Sequence, residues 1–275
     1  MTAELEIAAG ATRLAGELSG EGPAVVLLHG LTATRRYVVM GSRTLERSGH
    51  RVLAYDARGH GRSAPAADGR YDYPALAADL AAVLDAAGIE QATLAGASMG
   101  AHTAARFALE HPDRVKALCL ITPAFDPGKA ESSGELEGWD RLAEGLRNAG
   151  VEGFVDAYDL ERLPAAIRPT IETVLRQRLG AHEHPEAVAD ALEGVPRSRP
   201  FESLEELSAI SVPALVVASR DELDPGHPLA VGEAWAEAIK GARLVVEPAR
   251  EPPVSPTAWQ GGQLSRLIGE LIAST

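Results

Sequence analysis

Leu94-Ala95-Gly96-Ala97-Ser98-Met99-Gly100-Ala101 is the stretch on which the fold turns. It opens as a buried apolar strand, passes through a tight turn and runs straight into a helix. Gly96, Ser98 and Gly100 fit Gly-x-Ser-x-Gly, the strand-turn-helix arrangement called a nucleophile elbow. A turn this tight strains the serine backbone, and side chains at the two glycine positions would collide with neighbouring elements. In return the Ser98 hydroxyl stands clear at the top of the sheet. The first N–H groups of the new helix then point at whatever binds there. The pentapeptide alone also fits an ordinary serine in a turn of small residues, so its surroundings decide.

Upstream, Leu5–Ala8 and Arg13–Leu18 are short extended runs separated at Gly10, which suggests a hairpin. Val25-Val26-Leu27-Leu28 is a continuous apolar run of the kind a strand covered on both faces carries, and His29-Gly30 follows it. Helix-like sequence begins at Arg35 and leads to a strand over Arg51–Asp56. Asp56-Ala57-Arg58-Gly59-His60-Gly61-Arg62-Ser63 is a glycine-rich turn. A helix carrying Leu76, Leu80, Val83 and Leu84 at three- and four-residue spacing comes next. The elbow and the strand Lys116–Thr122 complete the first half. Strands and helices alternate throughout, which implies an α/β fold with a mostly parallel central sheet and helices on both faces.

From about Phe125 to Leu207 the alternation stops. Trp139, Leu142 and Leu146 share one helical face, as do Ile167, Ile171, Val174 and Leu175, and Ala187, Val188, Ala191 and Leu192. Gly150, Pro164, Pro169, Gly180, Pro185 and Pro196 punctuate the segment. Because strands resume at Val212–Ala218 and Arg243–Glu247, the expected organisation is a core of residues 1–124 and 208–275 with a helical lid, 125–207, inserted over the sheet. The final helix carries Leu264, Leu267, Ile268, Leu271 and Ile272.

The 275 residues suit one α/β domain with an insertion. A hydrophobic share of 45% and a charged share of 24% are ordinary for a globular protein. A net charge of −13 argues against a nucleic-acid partner and against docking on anionic membranes. The single cysteine, Cys119, sits in an apolar run and permits no intrachain disulfide. Acidic residues stand where a signal peptide would carry basic ones, and no apolar run reaches the length of a membrane span. The expected setting is the cytoplasm. His182-Glu183-His184 lacks further ligands and reads as lid surface rather than metal site. No metal and no cofactor is expected. The sequence does not specify an oligomeric state.

Taken together, His29-Gly30, Asp56-x-Arg58-Gly59-His60-Gly61-x-Ser63, the elbow at 96–100, the helical insertion and the stretch Pro213–Pro225 resemble the α/β-hydrolase superfamily over nearly the whole chain. The resemblance implies Ser98 as nucleophile. It implies the backbone N–H groups of Leu31 and Met99 as oxyanion donors. It implies Asp221 as the acid, with Glu222 and Asp224 as close rivals. His29 and His60 read as structural. The superfamily's catalytic histidine would follow the last strand, at Glu247-Pro248-Ala249-Arg250-Glu251-Pro252-Pro253, and no histidine occurs there or anywhere after His227. A serine hydroxyl is a poor nucleophile without a base to take its proton. His102, one turn along the elbow helix, His227, and Glu251 at the vacated position are the candidate replacements. A carboxylate serves as a base if burial raises its pKa.

The implied activity is that of an enzyme acting on a small, mainly apolar carbonyl substrate: an ester, thioester or lactone opened through Ser98. Two alternatives stand beside it. One is non-hydrolytic chemistry in the same pocket, such as cyclisation, elimination or C–C cleavage. The other is a catalytically inactive ligand-binding protein, against which the strained serine argues.

Overall fold

A computed structural model describes residues 2–129, 133–220, 226–248 and 259–275. Strand β1 (Thr2–Ala9) turns at Gly10 into β2 (Thr12–Ser19), forming the expected hairpin. The remaining strands are β3 (Ala24–Leu28), β4 (Arg51–Tyr55), β5 (Ala92–Ala97), β6 (Val115–Ile121), β7 (Ala214–Ala218) and β8 (Arg243–Val246). They form one eight-stranded sheet in the order β1-β2-β4-β3-β5-β6-β7-β8. β2 is antiparallel to β1 and β4, and every pairing from β4 to β8 is parallel.

The helices, in chain order, are α1 (Thr44–Arg47), α2 (Tyr73–Ala86), α3 (Met99–Glu110), α4 (Ser133–Ala157), α5 (Arg168–Leu179), α6 (Pro185–Gly194), α7 (Leu229–Ala238) and α8 (Gly261–Ala273). The apolar run of β3 shows why the sheet needs two covers. Val26 and Leu28 pack with Leu80 and Leu84 of α2, Phe107 of α3 and Trp235 of α7. Val25 and Leu27 face the other way, with Leu45 of α1 and Leu264, Ile268 and Leu271 of α8. These four of the five β3 residues are at most 3% exposed. Burial of each such side chain contributes about 1.5–3 kcal/mol.

The helix expected from Arg35 is only a 3-10 turn, Arg35–Tyr37, followed by the four-residue α1. Positive φ at Met40 and Gly41 (47° and 73°) stops propagation. Arg35 is meanwhile drawn to Asp56, whose carboxylate accepts its backbone N–H at 2.8 Å and pairs with its guanidinium. The same buried carboxylate accepts the Arg62 N–H, so one aspartate ties the glycine-rich turn to the loop after β3.

Helices α4 to α6 lie between β6 and β7 and share an apolar cluster, including Leu146, Phe154, Leu175, Leu179, Val188 and Leu192. A second cluster joins Ala187, Ala191 and Val195 to Ala57, Tyr71, Tyr73, Leu76 and Met99 of the core. α4 bends at Ala149 and Gly150, the latter with φ 61°. Its two arms touch at Gly145 and Gly153, where a Cβ on either would lie 2.3 or 2.1 Å from the other's carbonyl oxygen. Among the described residues no helix is long and apolar enough to cross a membrane.

Candidate active site

The elbow is built as its glycines require. A Cβ on Gly96 would sit 2.2 Å from the Gly100 oxygen, and one on Gly100 would sit 2.2 Å from the Leu28 oxygen. Ser98 adopts φ 51° and ψ −116° at the N-cap of α3. Such a conformation costs of order 1–3 kcal/mol and persists only where its surroundings hold it. Here the Ser98 N–H donates to Ile121 O at 2.9 Å, and its carbonyl accepts from Ala101 and His102 at 2.8 and 3.0 Å. The side chain caps nothing and remains partly exposed.

Gly30 lies against this turn, its Cβ position 3.4 Å from the Ser98 Cβ. Leu31 follows, and its side chain packs into both apolar clusters that join the insertion to the core. Met99 is buried in one of them. Side-chain packing therefore holds both residues while their amides remain unspent: among the described residues neither N–H has a hydrogen-bond partner. Two such donors at a helix start and an adjoining loop are suited to an oxygen that gains negative charge.

The loop carrying Leu31 is heavily braced. His29 Nδ1–H donates to Gly30 O at 2.8 Å, and its Nε2 accepts the Ala57 N–H at 2.9 Å. Burial, opposed in part by the Gly30 bond and reinforced electrostatically by the nearby His182 ring and the Arg178 cation, lowers the His29 pKa to about 3. His60, also buried, gives its Nδ1–H to Arg58 O and lies 5.2 Å, ring to ring, from His29. Burial holds it neutral as well. Both histidines are structural, as their place in tight turns implies.

The inserted helices reach the same loop. Arg178 of α5 donates to Leu31 O at 2.6 Å and to Thr32 Oγ1 at 2.7 Å, both from Nη2. His182 Nε2–H donates to Thr32 O at 3.0 Å, and its Nδ1 accepts the Gly61 N–H at 2.8 Å. The Glu183 N–H donates to Gly61 O at 2.8 Å. His182 is thus a half-buried bridge and not the lid surface that the sequence suggested. Neither Arg178 nor His182 carried a signal in sequence. Arg178 belongs to a helix with Arg168 and Arg176, both of which face outward pairs or loop carbonyls.

His102, one of the candidate bases, is buried: its Nε2 accepts the N–H groups of Ala124 and Phe125 at 2.9 and 3.2 Å, and its Nδ1–H is bonded to Tyr73 Oη at 2.7 Å. Burial, with a further push from His227, lowers its pKa to about 3. Both ring nitrogens are committed to these partners. His227 lies just before α7, within electrostatic reach of His102. Asp221, its rivals Glu222 and Asp224, and Glu251 lie outside the described residues. The strand ends that lead to them are joined: the Glu247 N–H donates to Ala218 O at 3.1 Å, and Arg220 Nε donates to Glu247 O at 3.2 Å. The described ends of β7 and β8 therefore lie side by side at the carboxyl edge of the sheet. Among the described residues no cluster of three or more His, Cys, Asp or Glu could hold a metal.

Residues 23–152 match the family model described as alpha/beta hydrolase fold. The RutD protein of Variovorax paradoxus, provisionally named a carbamate hydrolase, is 31% identical over 225 residues, 82% of each chain. A Pseudomonas putida protein named 2-hydroxy-6-oxononadienedioate/2-hydroxy-6-oxononatrienedioate hydrolase 2 is 33% identical over 230 residues, 78% of each chain. Among solved structures, a thermophilic esterase from Thermogutta terrifontis superposes with a TM-score of 0.78 at 27% identity, over 99% of this chain and 98% of that one. With relatives above 30% identity matched over most of their length, the chain belongs to the alpha/beta hydrolase fold family.

Proposed function

We propose that the protein hydrolyses a small, mainly apolar ester, thioester or lactone through Ser98. The Ser98 oxygen attacks the carbonyl carbon and its proton passes to a base. The carbonyl oxygen becomes an oxyanion facing the Leu31 and Met99 amides. Collapse expels the alcohol or thiol, which takes the proton, and water then releases the acid from Ser98. The observation that carries the reading is a strained, partly exposed serine with two unspent amides, that of Met99 next to it and that of Leu31 next to Gly30, which lies against its turn. Each such donor is worth roughly 3–4 kcal/mol of barrier. The helical insertion acts as the lid, supplying the apolar cover. Asp221 serves as the acid. With His102 committed elsewhere, the base is one of the two remaining candidates, Glu251 or His227.

A second reading has its own support: no histidine follows His227. In it Ser98 and the two amides polarise a carbonyl, and cyclisation, elimination or C–C cleavage proceeds with no acyl-enzyme.

One experiment separates the readings. A fluorophosphonate probe and a panel of p-nitrophenyl esters are applied to the wild type and to Ser98→Ala, Glu251→Gln and His227→Gln. The covalent reading expects labelling at Ser98, none in Ser98→Ala, and loss of ester turnover in the variant that removes the base. Turnover that survives Ser98→Ala, with no labelling of the wild type, discards it in favour of the second. Inertness of the wild type toward every ester and the probe, with tight ligand binding, would leave a binding protein.

A further inference from the structure

We propose that Arg178, on the lid, is a positioning residue for the oxyanion loop, so that the lid does more than cover the substrate. The inference rests on the function proposed above and assigns a role to a residue outside the nucleophile, acid, base and amides.

The loop after β3 has two features that need external support. Thr32, a β-branched residue, stands at φ 63°, a conformation such side chains rarely adopt. The Leu31 amide beside it has no partner among the described residues. Within the loop the Ala33 N–H donates to Gly30 O at 3.0 Å and closes the turn around Leu31 and Thr32, which leaves the Leu31 and Thr32 carbonyls to partners outside the loop. The support comes from the lid at three points. Arg178 Nη2 uses two hydrogens, one on Leu31 O and one on Thr32 Oγ1, and so clamps the peptide that follows the donor together with the side chain of the strained residue. His182 holds the next carbonyl, that of Thr32. The Leu31 side chain is sunk among the lid helices.

The anchoring is two-sided. His182 and Glu183 also bind Gly61 of the glycine-rich turn, so this part of the lid is fastened to two core loops. A lid that shifted as a body would drag the Leu31 carbonyl with it and turn the adjoining peptide plane. Arg178 also brings a positive charge close enough to lower the pKa of His29, which lies two residues before Leu31. A cation in that place favours negative charge at the oxyanion position over the neutral carbonyl of bound substrate. The expected signature is an effect on turnover and little effect on substrate binding.

The test compares Arg178→Met, Arg178→Lys and the control Arg176→Met with the wild type. Arg176, on the same helix, pairs with Glu152 and Glu172 at the surface and has no hydrogen bond to Leu31, Thr32, Ser98 or Met99 among the described residues. Three quantities are read: the rate of fluorophosphonate labelling at Ser98, kcat and KM on the best ester, and amide hydrogen exchange over residues 30–34. Arg178→Met is expected to slow labelling and kcat by about tenfold or more, part of the roughly hundredfold to thousandfold that loss of a whole donor costs, with KM within about twofold. Exchange at 30–34 accelerates, and Arg176→Met changes none of these. Arg178→Lys keeps the charge but not the paired geometry. It is expected to fall between the two, and it carries the test if the methionine variant fails to fold. Wild-type labelling with full rates and unchanged exchange in a folded Arg178 variant overturns this inference and leaves the proposed function standing. A wild type that is never labelled and turns over no ester fails at the function itself, and the inference falls with it.

Discussion

His102 illustrates how one side chain in this chain is committed by its neighbours. Its ring closes a bridge from Tyr73 to the backbone just after β6, where the chain leaves the sheet for the insertion. Removing the ring strands two partly buried backbone N–H groups, and each costs about 1–3 kcal/mol when left unsatisfied. His102→Leu is therefore expected to lower unfolding stability by roughly 2–5 kcal/mol, read from the urea midpoint. The protein that remains folded should label at Ser98 at close to the wild-type rate, because both ring nitrogens are bonded to groups other than the serine. A folded variant that lost labelling by a hundredfold or more would return His102 to the list of bases. The elbow is the part of the site that is legible from sequence alone, since only glycine fits where a Cβ would meet backbone at 2.2 Å. The Arg178 and His182 contacts are not legible. They join residues about 120 to 150 positions apart, and nothing in a local pattern marks one arginine of α5 as facing inward.

At the level of elements, the central strands are readable because they are buried on both faces and so carry unbroken apolar runs. Helices α5 and α6 are readable because their apolar residues recur on one face. The segment from Arg35 to Met40 is misread because its residues favour a helix while the Asp56 carboxylate pulls Arg35 out of one. The start of α8 gives a sharper case. Gly261 and Gly262 look alike in sequence, yet a Cβ on Gly261 would lie 1.9 Å from Val39 O, while nothing lies within 4 Å of one on Gly262. Gly262→Ala should stabilise the protein by about 0.5–1 kcal/mol through helix propensity. Gly261→Ala should destabilise it by roughly 2 kcal/mol or more, because backbone must move. Thermal unfolding of the two single variants checks the sign of each. Equal shifts would mean that α8 does not dock on Val39 as described.

For the whole molecule, the buried histidines set how stability depends on pH. His29 and His102 have folded pKa values of about 3, below the unfolded value near 6.5, and His60 and His182 are shifted the same way. A depressed histidine pKa means that the unfolded chain binds a proton the folded chain refuses. The stability these rings contribute is thus fully present above about pH 6.5 and is lost as pH falls from there toward 3. Near pH 5 each neutral histidine contributes a slope of about 1.4 kcal/mol per pH unit, so His29 and His102 together give nearly 3. The carboxylates with lowered pKa, such as Glu152, Glu193 and Glu205, lose their contribution only below about pH 4.5. The window between pH 6.5 and 4.5 therefore belongs to the histidines. Between pH 6.5 and 4 two such slopes remove about 6 kcal/mol, enough to unfold the protein if its stability lies at the lower end of the roughly 5–15 kcal/mol typical of a domain. Urea titrations from pH 7 to 4.5 should show stability falling with that slope, and His102→Gln should reduce the slope by about one proton. A wild-type profile flat across this range would mean that the rings are protonated in the folded state, and the hydrogen bonds that require their neutral forms could not all exist.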